Sequence, residues 1–224
     1  MLARVAAPVA LAASLLAARA VAQEFPPPAE AAQLSQATPG RSWRVPLGVG
    51  LSYALPTGSI DEKTLKLADA FGGGPTLRLD AGLAVESVGL SFVWRRGFLS
   101  AGEKWCPTGQ SCTARFDSVG GALTVASAKN EAVAPLLMIG GATDEGEVKW
   151  SGGFQRITGW EVFLSLFVGG RLGDASSPWK LGGYFDARIM SLDTVETPAG
   201  KTKLPVATSG MPTFFELGLR AAFD

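Results

Sequence analysis

TFFELGLRAAFD, residues 213–224, is the stretch that decides the fold. From Phe215 every second residue is apolar: Phe215, Leu217, Leu219, Ala221, Phe223. Glu216, Gly218, Arg220, Ala222 and Asp224 lie between them. A repeat of two is strand geometry, because successive side chains point to opposite faces. One face carries charge and the other must leave water. In a soluble protein the apolar face meets a core; in a membrane-spanning barrel it meets lipid, and the polar face lines the interior.

The same alternation recurs upstream. In WRVPLGVGLSYAL (43–55), Trp43, Val45, Leu47, Val49, Leu51, Tyr53 and Leu55 alternate with small or polar residues, with Pro46 as an interruption. The run exceeds an ordinary soluble strand and covers the roughly 9–11 residues that a tilted strand needs to cross a bilayer. Residues 75–86 place Leu77, Leu79, Leu83 and Val85 opposite Arg78, Asp80 and Glu86, and 88–98 align Val88, Leu90, Phe92 and Trp94. The segments 115–126 and 133–142 are weaker, the latter apolar on both faces. Residues 159–171 align Trp160, Val162, Leu164, Leu166 and Val168 opposite Glu161, leaving Phe163 and Phe167 on the polar side. Residues 179–190 align Trp179, Leu181, Phe185 and Ile189 opposite Asp186 and Arg188.

With the terminal segment these make eight strands. The intervals between them alternate: long (56–74), short (86–87), long (99–114), short (127–132), long (143–158), fairly short (172–178), long (191–212). Short turns on one rim and long loops on the other are the pattern of an outer-membrane barrel. The interior of an eight-stranded barrel is only just wide enough for its side chains. The bulky stripe would overfill it, whereas the opposite face, rich in glycine, alanine, serine and single charges, fits. Glycines 48, 50, 82, 182 and 218 are expected to make room for neighbouring arginines. The chain therefore reads as all-β, an eight-stranded antiparallel up-and-down transmembrane β-barrel. Trp43, Tyr53, Trp94, Trp160, Trp179 and Phe223 are its expected interfacial aromatics.

The remaining sequence fits export. Arg4 precedes an apolar run that ends in the small-residue site Ala20-Val21-Ala22, which reads as a signal peptide over 1–22. Residues 23–42 form a Pro/Ala-rich periplasmic arm, and 43–224 the barrel. Twenty basic residues balance twenty acidic ones, and cleavage would leave 18 against 20. Nothing in that balance argues for a nucleic-acid partner. The two cysteines, Cys106 and Cys112, sit in WCPTGQSC and are expected to form a small-loop disulfide in an oxidising compartment. The chain has no histidine, which removes Ser–His–acid catalysis and histidine metal sites. No enzymatic activity and no cofactor are expected.

On these strands the chain resembles the small eight-stranded outer-membrane barrels of the OmpA/OmpX kind, over residues 43–224. Such chains usually end on an aromatic residue read by the barrel-assembly machinery; here Phe223 is penultimate. The resemblance implies outer-membrane residence in a Gram-negative envelope, a monomer surrounded by outer-membrane lipid, and functions from envelope integrity and adhesion to narrow pores.

Arg78, Asp80, Glu161, Asp186, Arg188, Glu216 and Arg220 should face the lumen. As a network of paired charges they would make the barrel solid; as a charge-lined path they would make it a narrow channel. A third reading is a soluble periplasmic lipid-binding barrel. The triple glycine 72–74 is expected to be a hinge, and DEKTLKLADAF (61–71) a loop with a short helix. Arg95, Arg96 and Lys104 should lie at the outer rim, either as ordinary solvated loop charges or near lipopolysaccharide phosphates, with loops available to a surface ligand.

Overall fold

Strand follows strand almost without interruption. The structure, a computed structural model, describes residues 43–60, 65–126, 133–174, 177–204 and 211–223. The leader, the arm, residues 127–132 and Asp224 lie outside these residues. The elements are β1 (Trp43–Arg44), β2 (Leu47–Thr57), α1 (Leu67–Ala70), β3 (Gly74–Val85), β4 (Val88–Leu99), β5 (Thr113–Ala126), β6 (Val133–Trp150), β7 (Gly153–Arg171), β8 (Trp179–Thr197), β9 (Gly200–Lys203) and β10 (Thr213–Phe223).

Each strand from β2 to β8 pairs antiparallel with the next, and β10 pairs both with β8 and with β2. The ring is closed by eight strands, with Phe223 opposite Leu47 at one end of the seam and Thr213 opposite Thr57 at the other. Pro46 has no N–H to give, and it separates β1 from β2. Its carbonyl still accepts from the Gly82 amide at 3.0 Å.

The alternation sorts as the sequence requires. Leu47, Val49, Leu51, Tyr53 and Leu55 are exposed on the outside, and so are Leu83, Leu90, Phe92, Leu164, Leu166, Phe185, Leu217 and Leu219. Trp43, Tyr53, Trp160 and Trp179 are exposed in the same belt; Trp94 and Phe223 are half-buried. Phe223 packs edge-on against Trp179 at 5.2 Å.

Two expected long loops are strand instead. Residues 143–158 continue β6 and β7 to a tip at Ser151–Gly152, and 191–203 continue β8 and fold back as β9. Side chains keep their inward and outward phase there, but the chemistry inverts. Asp144 and Val148 point in, and Glu145, Glu147 and Lys149 point out. Above the lipid the outer face meets water, so the apolar residues turn to the inner side. A bulge between Thr158 and Gly159 shifts the pairing with β8 by one residue, past Asp193.

The exposed stripe generates a prediction. Leu51→Arg places a cation in the middle of the belt, and in lipid vesicles it should cost about 2–4 kcal/mol. Denaturant titration of the refolded protein would read this; on a water-facing surface the same change would cost nothing.

Candidate functional site: the charged interior and the outer rim

The seven charged residues of the polar stripes all point into the barrel and are buried, from Asp186 and Glu216 at 0 % exposure to Asp80 at 6 %. Arg78 donates to Asp186 at 2.8 Å, to Asp80 at 3.2 Å and to the Ser165 hydroxyl at 2.6 Å. Arg188 bridges strands, donating to Glu161 and to Glu216, each at 2.7 Å. Arg220 donates to Asp80 at 2.5 Å. The Ser52 hydroxyl donates to Glu216 and the Ser118 hydroxyl to Glu161, both at 2.9 Å.

Two further members were not on the list. Arg95, expected at the outer rim, is inside the lumen and 1 % exposed, donating to Glu161 at 2.8 Å and lying 3.3 Å from Asp186. It stands opposite the Phe92/Trp94 stripe, so the period of two already placed it inward. Asp144 is also buried, in a segment expected to be loop. Among the described residues the buried charges are thus four guanidiniums (Arg78, Arg95, Arg188, Arg220) and five carboxylates (Asp80, Asp144, Glu161, Asp186, Glu216).

Phe163 and Phe167, which break the stripe of β7, belong inside. The Arg95 guanidinium lies 4.0 Å from the centre of the Phe163 ring and that of Arg220 5.0 Å from Phe167. A ring face attracts a desolvated cation, so these aromatics support the arginines where no carboxylate is available. The glycines divide. A side chain at Gly48 would meet Asp80 and Arg220 at 2.5–2.6 Å, so this glycine does make room for an ion pair. Gly50 makes room for the Tyr184 ring instead. Glycines 82, 182 and 218 lie against the backbone of neighbouring strands, at Leu90, Val168 and Leu51, and serve close strand approach, not arginine packing.

An apolar core caps the ionic layer at the long-loop end. Phe116 meets Phe71 and Phe214 edge to face and Trp105 lies tilted on Phe71, with ring centres 5.0–5.6 Å apart, joined by Ile60, Leu67, Val148, Ile157 and Leu192. The Arg188 guanidinium touches this core from below, 5.2 Å from the Phe214 ring centre. Two segments hold the cap down: α1 with its flanks, and the 100–112 loop, joined by the Phe71–Ala101 bridge. The 72–74 glycines are no hinge: Gly72 donates to the Ser100 carbonyl, and Gly73 accepts from the Ser100 amide. Cys106 and Cys112 are disulfide-bonded, with Cα atoms 5.8 Å apart, beside the buried Trp105. Lys104 donates to Asp69 at 2.8 Å and ties the two segments. That hydrogen bond is the main reason the Asp69 carboxyl is held below its ordinary range.

On the outer face of the extended strands, Arg115, Glu147, Arg156, Glu196 and Lys201 stand opposite one another across β5 to β9. The signs alternate, and successive neighbours are 2.8–4.0 Å apart. These groups are partly exposed, so each pair contributes at most about 1 kcal/mol. Arg96 is at this level too, paired with Asp117 at 2.6 Å. Among the described residues no group of three or more acidic, histidine or cysteine side chains converges as a metal site.

A closed eight-stranded barrel with an apolar belt and a charged interior is the fold of the small outer-membrane β-barrel proteins. No protein-family profile matches the chain, and no curated protein matches it. Among solved structures it is similar to Neisserial surface protein A, with a TM-score of 0.56 and 12% identity over 81% of this chain and 98% of that one. Lower similarity extends to Ail, the attachment invasion locus protein of Yersinia pestis, in complex with the heparin analogue sucrose octasulfate (TM-score 0.47, 9% identity, 80% of this chain and 97% of that one). It extends also to a major outer membrane protein of Thermus thermophilus (TM-score 0.46, 12% identity, 80% and 100%). At these identities the likeness is one of fold.

Two measurements test the site. Arg188→Ala leaves Glu216 without its guanidinium and Glu161 with Arg95 alone, and should cost about 3–5 kcal/mol, read as a fall in the temperature at which the folded band is lost from an SDS gel. Lys104→Met should raise the Asp69 carboxyl toward its ordinary range in an NMR titration, the Lys66 amide still holding it down in part. The tie is complete at neutral pH and is lost as pH falls through the lowered value, because protonation removes the acceptor charge.

Proposed function

We propose that the chain is an outer-membrane barrel whose membrane section is a closed plug and whose working surface is the rim beyond the lipid. The observation that carries this reading is the double seal: a buried ion-pair layer with an aromatic core directly above it. A water path needs wetted charges, whereas those inside are buried, and four of the five carboxylates are hydrogen-bonded to guanidiniums. A lipid-carrying soluble barrel needs an apolar interior, and here the apolar surface is outside.

The rim then supplies the role. The alternating ladder from Arg115 to Lys201 and the disulfide-braced loops form a rigid, polar wall suited to envelope contacts or to a surface ligand. Catalysis is not part of this proposal.

Two experiments test it together. The folded protein should partition with the outer membrane and run as a faster band that shifts on boiling. Reconstituted in planar bilayers, it should give no conductance steps above background. Discrete steps would replace the plug with a channel, and recovery in a detergent-free soluble fraction would remove the membrane reading.

A further inference from the structure

Among the described residues the buried charges do not balance: five carboxylates face four guanidiniums. Each of the other four carboxylates accepts a hydrogen bond from an arginine. Asp144 does not. It is 4 % exposed, and neither of its oxygens has a hydrogen-bond partner. Its nearest cation is the Arg188 terminal nitrogen at 3.6 Å, which also makes no hydrogen bond. Arg188 is already committed to Glu161 and Glu216, each at 2.7 Å.

The surroundings offer no relief. Asp144 stands opposite Ser118 on β5 and Gly159 on β7. The Ser118 hydroxyl also faces Asp144, but it has one proton and donates it to Glu161 at 2.9 Å. The charged groups that act on Asp144 are Glu161 on β7, which repels it, and Arg188 on β8 and Arg95 on β4, which attract it. Both arginines are shared with other carboxylates. Toward the rim, Phe116 and Val148 close the space with apolar surface. An unneutralised carboxylate in such a site is too costly to persist.

We infer that the closed interior binds one additional positive charge at Asp144, either a proton or a small monovalent cation. The count fixes the stoichiometry at one. The unsatisfied Asp144 oxygens fix the place, on the side away from the Arg188 nitrogen, which is itself cationic and lies 3.6 Å off. A proton there turns the carboxylate into a neutral group that can itself donate to Glu161; a desolvated monovalent ion would take its ligands from the same oxygens. The inference concerns how the plug is neutralised and holds whatever the rim binds.

The test compares the full-length protein with Asp144→Asn, which keeps the shape and removes the charge. Both are refolded in detergent, and their unfolding temperatures are followed from mildly acidic to mildly alkaline pH. Parallel sets use sodium, potassium or tetramethylammonium chloride at one ionic strength. If a proton fills the site, the wild-type folding constant falls by about tenfold per pH unit once the unfolded carboxyl is ionised. The variant lacks that component, and salt identity is immaterial. If a metal ion fills it, the wild-type is more stable in sodium or potassium than in tetramethylammonium, and the variant shows no such difference. In either case the variant folds and is at least as stable as wild-type. An infrared band of a protonated carboxyl group, present in wild-type and absent in the variant, reads the proton form without relying on stability.

Failure of Asp144→Asn to fold, or a loss of stability in it at every pH and in every salt, would overturn the inference. Either would show that the ionised carboxylate is itself the stabilising partner of Arg188. Identical pH and salt responses in the two proteins would overturn it as well.

Discussion

Backbone hydrogen bonding across the seam between β10 and β2 is the constraint on which the rest of the structure depends. In lipid an unpaired amide or carbonyl has no water to turn to, so a sheet is tolerated only if it has no edge. Pairing Thr213–Phe223 with Leu47–Thr57 removes that edge. Closure at eight strands then sets the width of the interior, and the width decides what the inner faces hold. Bulky apolar residues are excluded by volume and go to the lipid, leaving a narrow lumen to small residues and charges.

Charges in so narrow a space cannot stay hydrated, so they have to satisfy one another. The arginines do so by branching: Arg188 reaches carboxylates on two strands, and Arg78 reaches two carboxylates and a serine. Phenylalanine rings serve where oxygens run out. The interior thus braces strands that share no backbone ladder, tying β3 to β8 and β4 to β7 across the lumen. Outside the lipid the rule reverses: apolar side chains turn inward to form the cap, and alternating charges face water. The charged interior and the rim are one set of strands read in two solvents.

The membrane section was legible in the sequence for that reason. A single solvent boundary acting over ten residues leaves a clean period of two, and Arg78, Asp80, Glu161, Asp186, Arg188, Glu216 and Arg220 all fell on the inward phase. Arg95 obeyed the same phase, but two adjacent arginines near a strand end resemble a solvated rim, and only one of them is. The extended hairpin of β6 and β7 was unreadable as strand because its pattern inverts at Asp144. Glu145, Glu147 and Lys149 take outward positions that lower down hold Leu137 and Ile139. Phe163 and Phe167 looked misplaced until the arginines above them were located, a pairing that depends on strand stagger and leaves no mark in the local sequence.

The central claim is that the terminal strand faces lipid with one side and a dry, charged interior with the other. It is tested most directly by nitroxide labels on engineered cysteines at successive positions 215–219, in vesicles, with the native cysteine pair oxidised. Collisional relaxation by oxygen, which concentrates in lipid, and by a water-soluble nickel complex is then measured. The account predicts a strict alternation: labels at 215, 217 and 219 respond to oxygen, and labels at 216 and 218 respond weakly to both. Uniform response to the nickel complex along the strand would contradict it, because the stripe would then face water.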